Sequence, residues 1–490
     1  LTIAAKNGIE IPNLCYNKNL KIYGACGLCV VETENSPKLL RACATVAAPG
    51  MVVHTDTPRV KQARKIALEL LMSDHDGDCK SPCHLNCPAG TNVQAYLKAI
   101  AQGDDREAVR IIKEKIPIPA SVGRVCPHPC ESHCRRTLVE EPISIAYLKA
   151  FAADNDLASG NPYRPTPAPA TGKRISIVGG GPAGLSAAYR LRLKGHHVTI
   201  YDAMPEMGGM LRYGVPEYRL SRSVIAKEVA EIADLGVVMI NGVSLGKNVT
   251  LGQLREESDA VLIAAGAWRS SSVGCPGEGL KGVVGGIDFL QNINLGKRPN
   301  IRGKNVAVVG GGNVAMDAVR TAKRLGAEAT IVYRRSEAEL PARAEEVHHA
   351  KEEGIVFRML ANPVEVLGDE QGWVRGLRCV EMTLGEPDES GRRRPVEKEG
   401  SEFDVPCDVV IMALGTSPNP LLAATTSGLE TDRRGCLTAD AEGRTTRAGV
   451  FAGGDAVTGA ATVILAMGAG RRAARAIDEY IREKYQPLNL

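Results

Sequence analysis

Over the last two thirds of the chain, short unbroken apolar runs alternate with longer stretches of helical periodicity. The runs at 260–265 and 409–414 are far shorter than the roughly 20 residues that a membrane-spanning helix takes, and they read as strands buried on both faces of a parallel sheet. Residues 173–202 show the full unit: an apolar strand, a glycine-rich turn, a helix and a second strand. Residues 305–336 repeat it. Before this half the pattern changes. VKQARKIALELLM at 60–72 predicts an amphipathic helix, and 93–101 and 105–115 carry helical periodicity between two cysteine runs. The segment NPYRPTPAPATG (161–172) has no period and predicts an extended, semi-rigid spacer at a domain boundary.

Composition narrows the class. With 490 residues, 44% apolar and 24% charged, the chain is long enough for about three or four soluble domains. Sixty basic against 56 acidic residues, a net charge of +4 and 4% aromatics leave no basic, aromatic-interleaved block, so no nucleic-acid partner is expected. The chain opens on Leu1 with no signal peptide, and a cytoplasmic location is expected. Cysteines add the chemistry. Ten of 14 fall at or before Cys134, whereas Cys275, Cys379, Cys407 and Cys436 are isolated and read as structural. Clustered thiols in a chain with nucleotide-binding motifs point to metal ligation, with disulfides as the alternative.

Cys15-x10-Cys26-x2-Cys29-x13-Cys43 offers four thiolates to a [2Fe-2S] centre, with Gly24 and Gly27 bracketing Cys26 so that backbone can bend around the sulfides. A four-cysteine zinc site is the rival, although it would usually pair two C-x2-C knuckles and only one is present. This stretch resembles the [2Fe-2S] domain of the iron-sulfur subunits of respiratory complex I and of iron hydrogenases. The resemblance implies a β-grasp whose first strands would precede Leu1.

Gly179, Gly181 and Gly184 form G-x-G-x-x-G around Pro182 and Ala183, with Asp202 closing the second strand at the distance a ribose hydroxyl requires. In the repeat, Gly310, Gly312 and Ala315 take the glycine places and Asn313 opens the helix. Asp202 aligns with Tyr333, followed by Arg334 and Arg335. Loss of the acid and gain of two guanidiniums favour NADP(H) over NAD(H), although an arginine pair is also a common solvated strand end.

The runs Cys79-x3-Cys83-x3-Cys87-Pro88 and Cys126-x3-Cys130-x3-Cys134, together with the dinucleotide fingerprints, resemble the glutamate synthase small-subunit family and its two-cluster iron-sulfur domain, shared with dihydropyrimidine dehydrogenase. The resemblance covers about residues 76–480. It implies two interleaved [4Fe-4S] clusters, one on Cys79, Cys83 and Cys134 and the other on Cys87, Cys126 and Cys130. Each is one cysteine short. The family's missing ligands align near Asp76 and near Lys149 or Ala150, with Asp76, Asp78, His75, His84, His128 and His133 as substitutes, or else with a [3Fe-4S] cluster or an open iron. The family also implies FAD, with Gly454 and Asp455 at its ribityl and pyrophosphate, a helix starting near Thr462 and Val463 aimed at the flavin, and Gly208 and Gly209 in a covering loop.

The expected fold is α/β multidomain: 1–58 a partial ferredoxin-like domain, 59–160 a helical two-cluster domain, 161–173 a linker, and two Rossmann-like domains. The FAD domain is expected in two parts, 174–302 and 414–490, around an NAD(P)H-binding insertion at 303–413. The expected function is an electron-transfer oxidoreductase subunit that exchanges hydride with NAD(P)H and electrons with other subunits of a formate dehydrogenase- or hydrogenase-type complex, or with a ferredoxin-like protein. No catalytic acid or base is needed. A glutamate synthase-like or bifurcating complex, and a non-catalytic assembly or redox-sensing subunit, are the alternatives. The lack of C-x2-C in either nucleotide domain argues against a dithiol reductase.

Overall fold

In the computed structural model, which describes all residues except 35, 76–79, 421–423, 427 and 486–490, Val31 and Thr33 point inward and set Val30–Thr33 at the centre of a small antiparallel sheet. Ser36–Arg41 and Val53–His54 flank it. The helix Pro58–Ser73 starts where Thr57 Oγ1 accepts from the Val60 amide at 3.2 Å and Pro58 needs no amide partner. Val60 is fully buried, Thr57 and Arg59 bond Glu32, and Arg64 donates to the Val30 carbonyl at 2.9 Å. These ties place the helix in the first of two units, Leu1–Ser81 and Pro82–Leu490. The helix that follows the expected 1–58 domain thus belongs to the same compact unit as that domain.

The second unit opens with the helices Val93–Ala101, Asp105–Lys113, Pro119–Val125 and Ile145–Ala158. Gly123 is obligatory where two of them cross, because a methyl there would lie 2.7 Å from the Ala150 Cβ. Their apolar faces, with Tyr96, Ile112 and Ile145, join one core with Ile177 of the following sheet and Leu185 of the helix Pro182–Leu193 that packs on it. That sheet is parallel, in the order Val450–Ala452, Ala260–Ile263, Arg174–Val178, His197–Asp202, Val238–Asn241. Val450–Ala452 returns to it from beyond the second nucleotide unit, so the first α/β domain is discontinuous.

The second parallel sheet runs Val356–Met359, Glu328–Tyr333, Asn305–Val309, Val409–Met412, Val283–Gly285. Its edge strand Val283–Gly285 and the helix Gly286–Asn294 precede the expected boundary at 302, because they pair with and pack on the later strand Val409–Met412. A three-stranded antiparallel sheet, Ala361–Gly368, Val374–Pro387 and Arg393–Pro406, projects a long hairpin from this domain. Arg269–Ser270 pairs antiparallel with Thr416–Ser417 where the chain crosses between the two α/β domains. Among the described residues no helix is long and apolar enough to cross a membrane.

Buried charge joins the helical segment to the first α/β domain. Lys113 bonds Glu231 at 2.6 Å, and Glu228 accepts from the Ala120 and Ser121 amides at 2.6 and 2.9 Å, capping Pro119–Val125. Burial pushes the Glu228 carboxyl up to about 7, against those amides and the Lys113 charge. Its folded pKa thus lies above the unfolded value of about 4.3. The associated stability is complete below about 4.3 and is lost as pH rises towards 7. Relative to Glu228→Gln, the parent is expected to gain at most ~1.4 kcal/mol per pH unit between pH 7 and 5. Urea midpoints across that window check this; a difference that stays flat would exclude it.

Candidate functional site

The two glycine-rich turns are built for close approach. A methyl on Gly179 would stand 2.3 Å from the Ala264 carbonyl oxygen, and one on Gly184 only 1.9 Å from the Gly179 oxygen. Gly310 meets Ala413 at 2.3 Å in the same way, and Ala315 is fully buried. Gly312, by contrast, has no atom within 4 Å of such a methyl, so its backbone is open to a ligand. Gly209 lies against Gly181, its missing methyl 2.7 Å from the Gly181 Cα, and Gly208 adopts φ +129°. Gly454 closes on Ala183 at 2.9 Å.

These turns face a cavity of ≈ 270 Å³. Its walls include Gly179, Gly181, Pro182 and Ala183 from the first turn and Asp202 from the second strand. Gly209, Asp455, Thr462 and Val463 add the far side, and Asn313 reaches in from the second nucleotide domain. Asp202 is engaged by backbone: its Oδ2 accepts from Gly180 at 2.6 Å and its Oδ1 from Met204 at 2.8 Å, and burial raises its pKa. Asp455 is different. Its Oδ1 is buried with no partner among the described residues, and burial pushes the carboxyl up to about 6 against a bond from Ala461. A buried acceptor left open on a cavity wall fits a polyhydroxyl ligand such as a ribityl chain. Thr462 precedes the helix Val463–Tyr485, so the helix N-terminus faces the same space.

Sequence reasoning did not single out several cavity residues. Arg219, from the covering loop, places Nη1 2.8 Å from both Asp317 oxygens and Nε 3.0 Å from Glu346. Asp317 and Arg219 line the cavity, as does Arg343, whose amide donates to Asn313 Oδ1 at 3.1 Å. The signal for Asp317 was present: a carboxylate one turn into the helix after the second fingerprint, on its buried side. Val125 and Pro127 also line the cavity and flank Cys126. The cysteine run therefore shares a wall with the dinucleotide site.

The arginine pair is split. Arg334 is exposed. Arg335 is buried beneath the hairpin tip, its guanidinium 2.5 Å from Asp388. Hydrogen bonds from Ser390 and the Arg335 charge hold Asp388 down to about 2.

Among the described cysteines none is in a disulfide. In the first unit four thiols converge. Burial works to raise the Cys26 thiol, but backbone bonds from Leu28, Leu14 and Cys15 and the Cys15 side chain bring it down to about 7. Burial and the Cys29 side chain push Cys43 up to about 11, with Cys15 also acting on it. Four mutually interacting thiols are a donor set suited to an iron-sulfur centre, although among the described residues no three metal-binding side chains are drawn together closely enough for a single ion. In the second unit Cys83, Cys87, Cys126 and Cys130 surround Tyr96, whose hydroxyl is pushed well above its ordinary range by burial and by these thiols. The His128 amide points at Cys126 Sγ, 3.4 Å away, through a left-handed φ of +41°. Cys134 is buried nearby in sequence, and Cys79, Asp76 and Asp78 lie outside the described residues. Of the substitute ligands, His128 pairs with Glu131 at 3.1 Å and His133 Nδ1 bonds the Pro129 carbonyl, while His84 sits half-buried in Pro82–Leu85. Lys149 is buried beside Cys130, and Ala150 packs instead against Gly123.

Residues 173–473, well over half of the chain, match the pyridine nucleotide-disulphide oxidoreductase family. The chain belongs to this family. Residues 75–161 match the dihydropyrimidine dehydrogenase domain II with its 4Fe-4S cluster, and 1–58 match a 2Fe-2S iron-sulfur cluster binding domain. Family relatives include the NADP(+)-dependent formate dehydrogenase subunit beta of Moorella thermoacetica, 44% identical over 82% of this chain and 60% of that protein. The NADPH-Fe(3+) oxidoreductase subunit beta of Geobacter sulfurreducens is 43% identical over 82% of this chain and 64% of its own length. The glutamate synthase [NADPH] small chain of Azospirillum brasilense is 37% identical over 82% and 86%. This chain thus spans less than two thirds of the first two relatives. FprA of Mycobacterium tuberculosis, solved in complex with NADPH, shares the fold with a TM-score of 0.55 at 20% identity, over 64% of this chain and 85% of that one.

Proposed function

We propose that this chain is an FAD- and iron-sulfur-containing electron-transfer subunit that oxidises or reduces NADP(H) and exchanges single electrons with a partner subunit of a cytoplasmic redox complex, of the formate dehydrogenase or metal-reductase kind that two relatives represent. The observation that carries this reading is the shared wall: Val125 and Pro127, on either side of Cys126, line the cavity that both glycine-rich turns face. When bound, the flavin would interconvert two-electron and one-electron chemistry and the clusters would carry single electrons.

The residues supply position and electrostatics. The turns at Gly179–Gly184 and Gly310–Ala315 offer backbone and helix N-termini to two dinucleotides. Asp455 Oδ1 offers an acceptor to a ribityl hydroxyl, and Val125, Pro127 and Val463 exclude water from the side facing the cysteines. Arg334 is free to take a 2′-phosphate. Cys15, Cys26, Cys29 and Cys43 would hold a [2Fe-2S] centre. Cys87, Cys126 and Cys130 would hold the cluster next to the cavity, and Cys79, Cys83 and Cys134 the other. A reducing compartment, which keeps so many thiols available, suits the cytoplasm.

Iron, sulfide and flavin analysis of the chain purified without air tests this, together with NADPH oxidation by an artificial acceptor. About ten irons are expected, from one [2Fe-2S] and two [4Fe-4S] centres, with one FAD and NADPH-dependent turnover. Absence of flavin and turnover from iron-loaded protein would overturn the reading.

A further inference from the structure

Three basic side chains feel one another's charge where the Cys87 loop lies across the helix Val463–Tyr485, and none of them has an ion-pair partner among the described residues. A methyl on Gly468 of that helix would stand 2.8 Å from the Pro88 carbonyl oxygen. The Gly90 amide donates to the Cys87 carbonyl at 2.7 Å, and a methyl on Gly90 would lie 3.8 Å from Arg471 Nη2. Arg471 therefore sits against the loop that presents Cys87. Arg190, from the helix Pro182–Leu193, and Lys115, just beyond Asp105–Lys113, complete the group, since each feels the charge of Arg471. The nearest acid, Glu114, is held by Arg110 at 2.8 Å.

This arrangement is costly as it stands. Arg190 Nε and Nη2 and Arg471 Nε are buried with no hydrogen-bond partner among the described residues. Unsatisfied buried donors cost about 1–3 kcal/mol each, and like charges repel. Nothing in the dinucleotide cavity uses these groups, because none of the three lines it. A nearby anion would offset both costs.

A fourth cation acts on another thiol of the same group, Cys130. Lys149 is 5% exposed and lies beside Cys130, with no hydrogen-bond or ion-pair partner among the described residues. It is buried within the stretch that matches the 4Fe-4S domain. Its neighbour Ala150 is taken up by packing on Gly123. Glu131, the nearest carboxylate, is already engaged by the Ala146 amide at 2.7 Å and by His128. A buried positive charge therefore acts on Cys130 with no carboxylate bound to it among the described residues.

We infer that Arg471, supported by Arg190 and Lys115, and Lys149 beside Cys130 are positioning residues that raise the reduction potential of the cluster held by Cys87, Cys126 and Cys130. Reduction adds negative charge to the cluster, and a nearby cation in a poorly solvated site stabilises that state over the oxidised one. The cluster flanking the cavity becomes the better electron acceptor of the two. The inference rests on the function proposed above, that these three thiols hold a cluster.

The test is EPR-monitored redox titration, with iron and sulfide analysis, of the full chain carrying FAD and clusters. In Arg471→Met and in Lys149→Met, the reduced-to-oxidised ratio of one [4Fe-4S] signal at a fixed poise is expected to fall at least tenfold, about 59 mV for a one-electron couple. Arg471→Lys and Lys149→Arg, which keep the charge, are expected to stay within about threefold of the parent. Lys115→Met, at a half-exposed position that tolerates truncation, is expected to move the same signal in the same direction and decides the case if the buried variants do not fold. Unmoved ratios with full iron content would overturn the inference. So would loss of iron in Lys149→Met with retention in Lys149→Arg, which would make Lys149 a structural support of the cluster. Absence of any [4Fe-4S] signal from the parent chain would instead overturn the cluster assignment itself.

Discussion

Replacing Arg334 by serine is expected to lower kcat/KM for NADPH about tenfold to hundredfold while leaving NADH within about twofold. The size follows from one charge-assisted bond to a phosphate, worth about 1.5–3 kcal/mol, and the selectivity from the absence of that phosphate in NADH. Arg334 is the exposed member of the pair and the one available to a ligand. Arg335 is buried and committed to Asp388. Arg335→Ser should therefore also loosen the hairpin tip and lower thermal stability, whereas Arg334→Ser should not. Steady-state kinetics with both coenzymes and a melting curve for each variant check the claim. Equal losses for NADPH and NADH in Arg334→Ser would remove the phosphate role.

Replacing Arg219 by methionine is expected to destabilise the protein by about 3–5 kcal/mol, since it leaves two buried carboxylates, Asp317 and Glu346, without their shared partner. Arg320 still holds Glu346 at 2.5 Å, so Asp317 bears most of the loss. Burial already pushes the Asp317 carboxyl up to about 6, and the Arg219 charge holds it from going higher. With a folded pKa above the unfolded value of about 3.9, its contribution is greatest at low pH and is lost as pH rises through the folded pKa. Removing Arg219 raises that pKa further, so the variant's deficit should be larger at pH 8 than at pH 5. Arg219→Met combined with Asp317→Leu should recover part of the loss, because no buried charge then remains unpaired. Denaturant titrations at the two pH values measure all three quantities.

The two α/β domains were legible because their signal is local. A strand, a glycine turn and a helix within thirty residues leave few alternatives, and Gly179, Gly184 and Gly310 sit where a side chain would strike backbone. What was not legible depends on partners far along the chain. Arg335 looked equivalent to Arg334 until the structure brought Asp388 to it from 53 residues away. The strand Val283–Gly285 is three residues long and acquires its meaning only by pairing with Val409–Met412. Pro58–Ser73 was visible as a helix, but its ties to Glu32 and the Val30 carbonyl were not. In the cysteine runs spacing suggested the ligands. It could not show that Val125 and Pro127 face the cavity, nor that Lys149 is buried beside Cys130.

The paired crossing of Arg269–Ser270 and Thr416–Ser417 bears on how such proteins diversify. The Ser271 amide donates to the Gly415 carbonyl at 3.0 Å, so the roughly 145 residues of the second α/β domain leave and rejoin the chain at adjoining points. The domain is a cassette. A counterpart that prefers another coenzyme could enter at the same two points, provided it keeps the buried carboxylates that hold Arg219 of the covering loop. The choice of electron donor and the wiring that carries the electrons away are, in this chain, separately exchangeable parts.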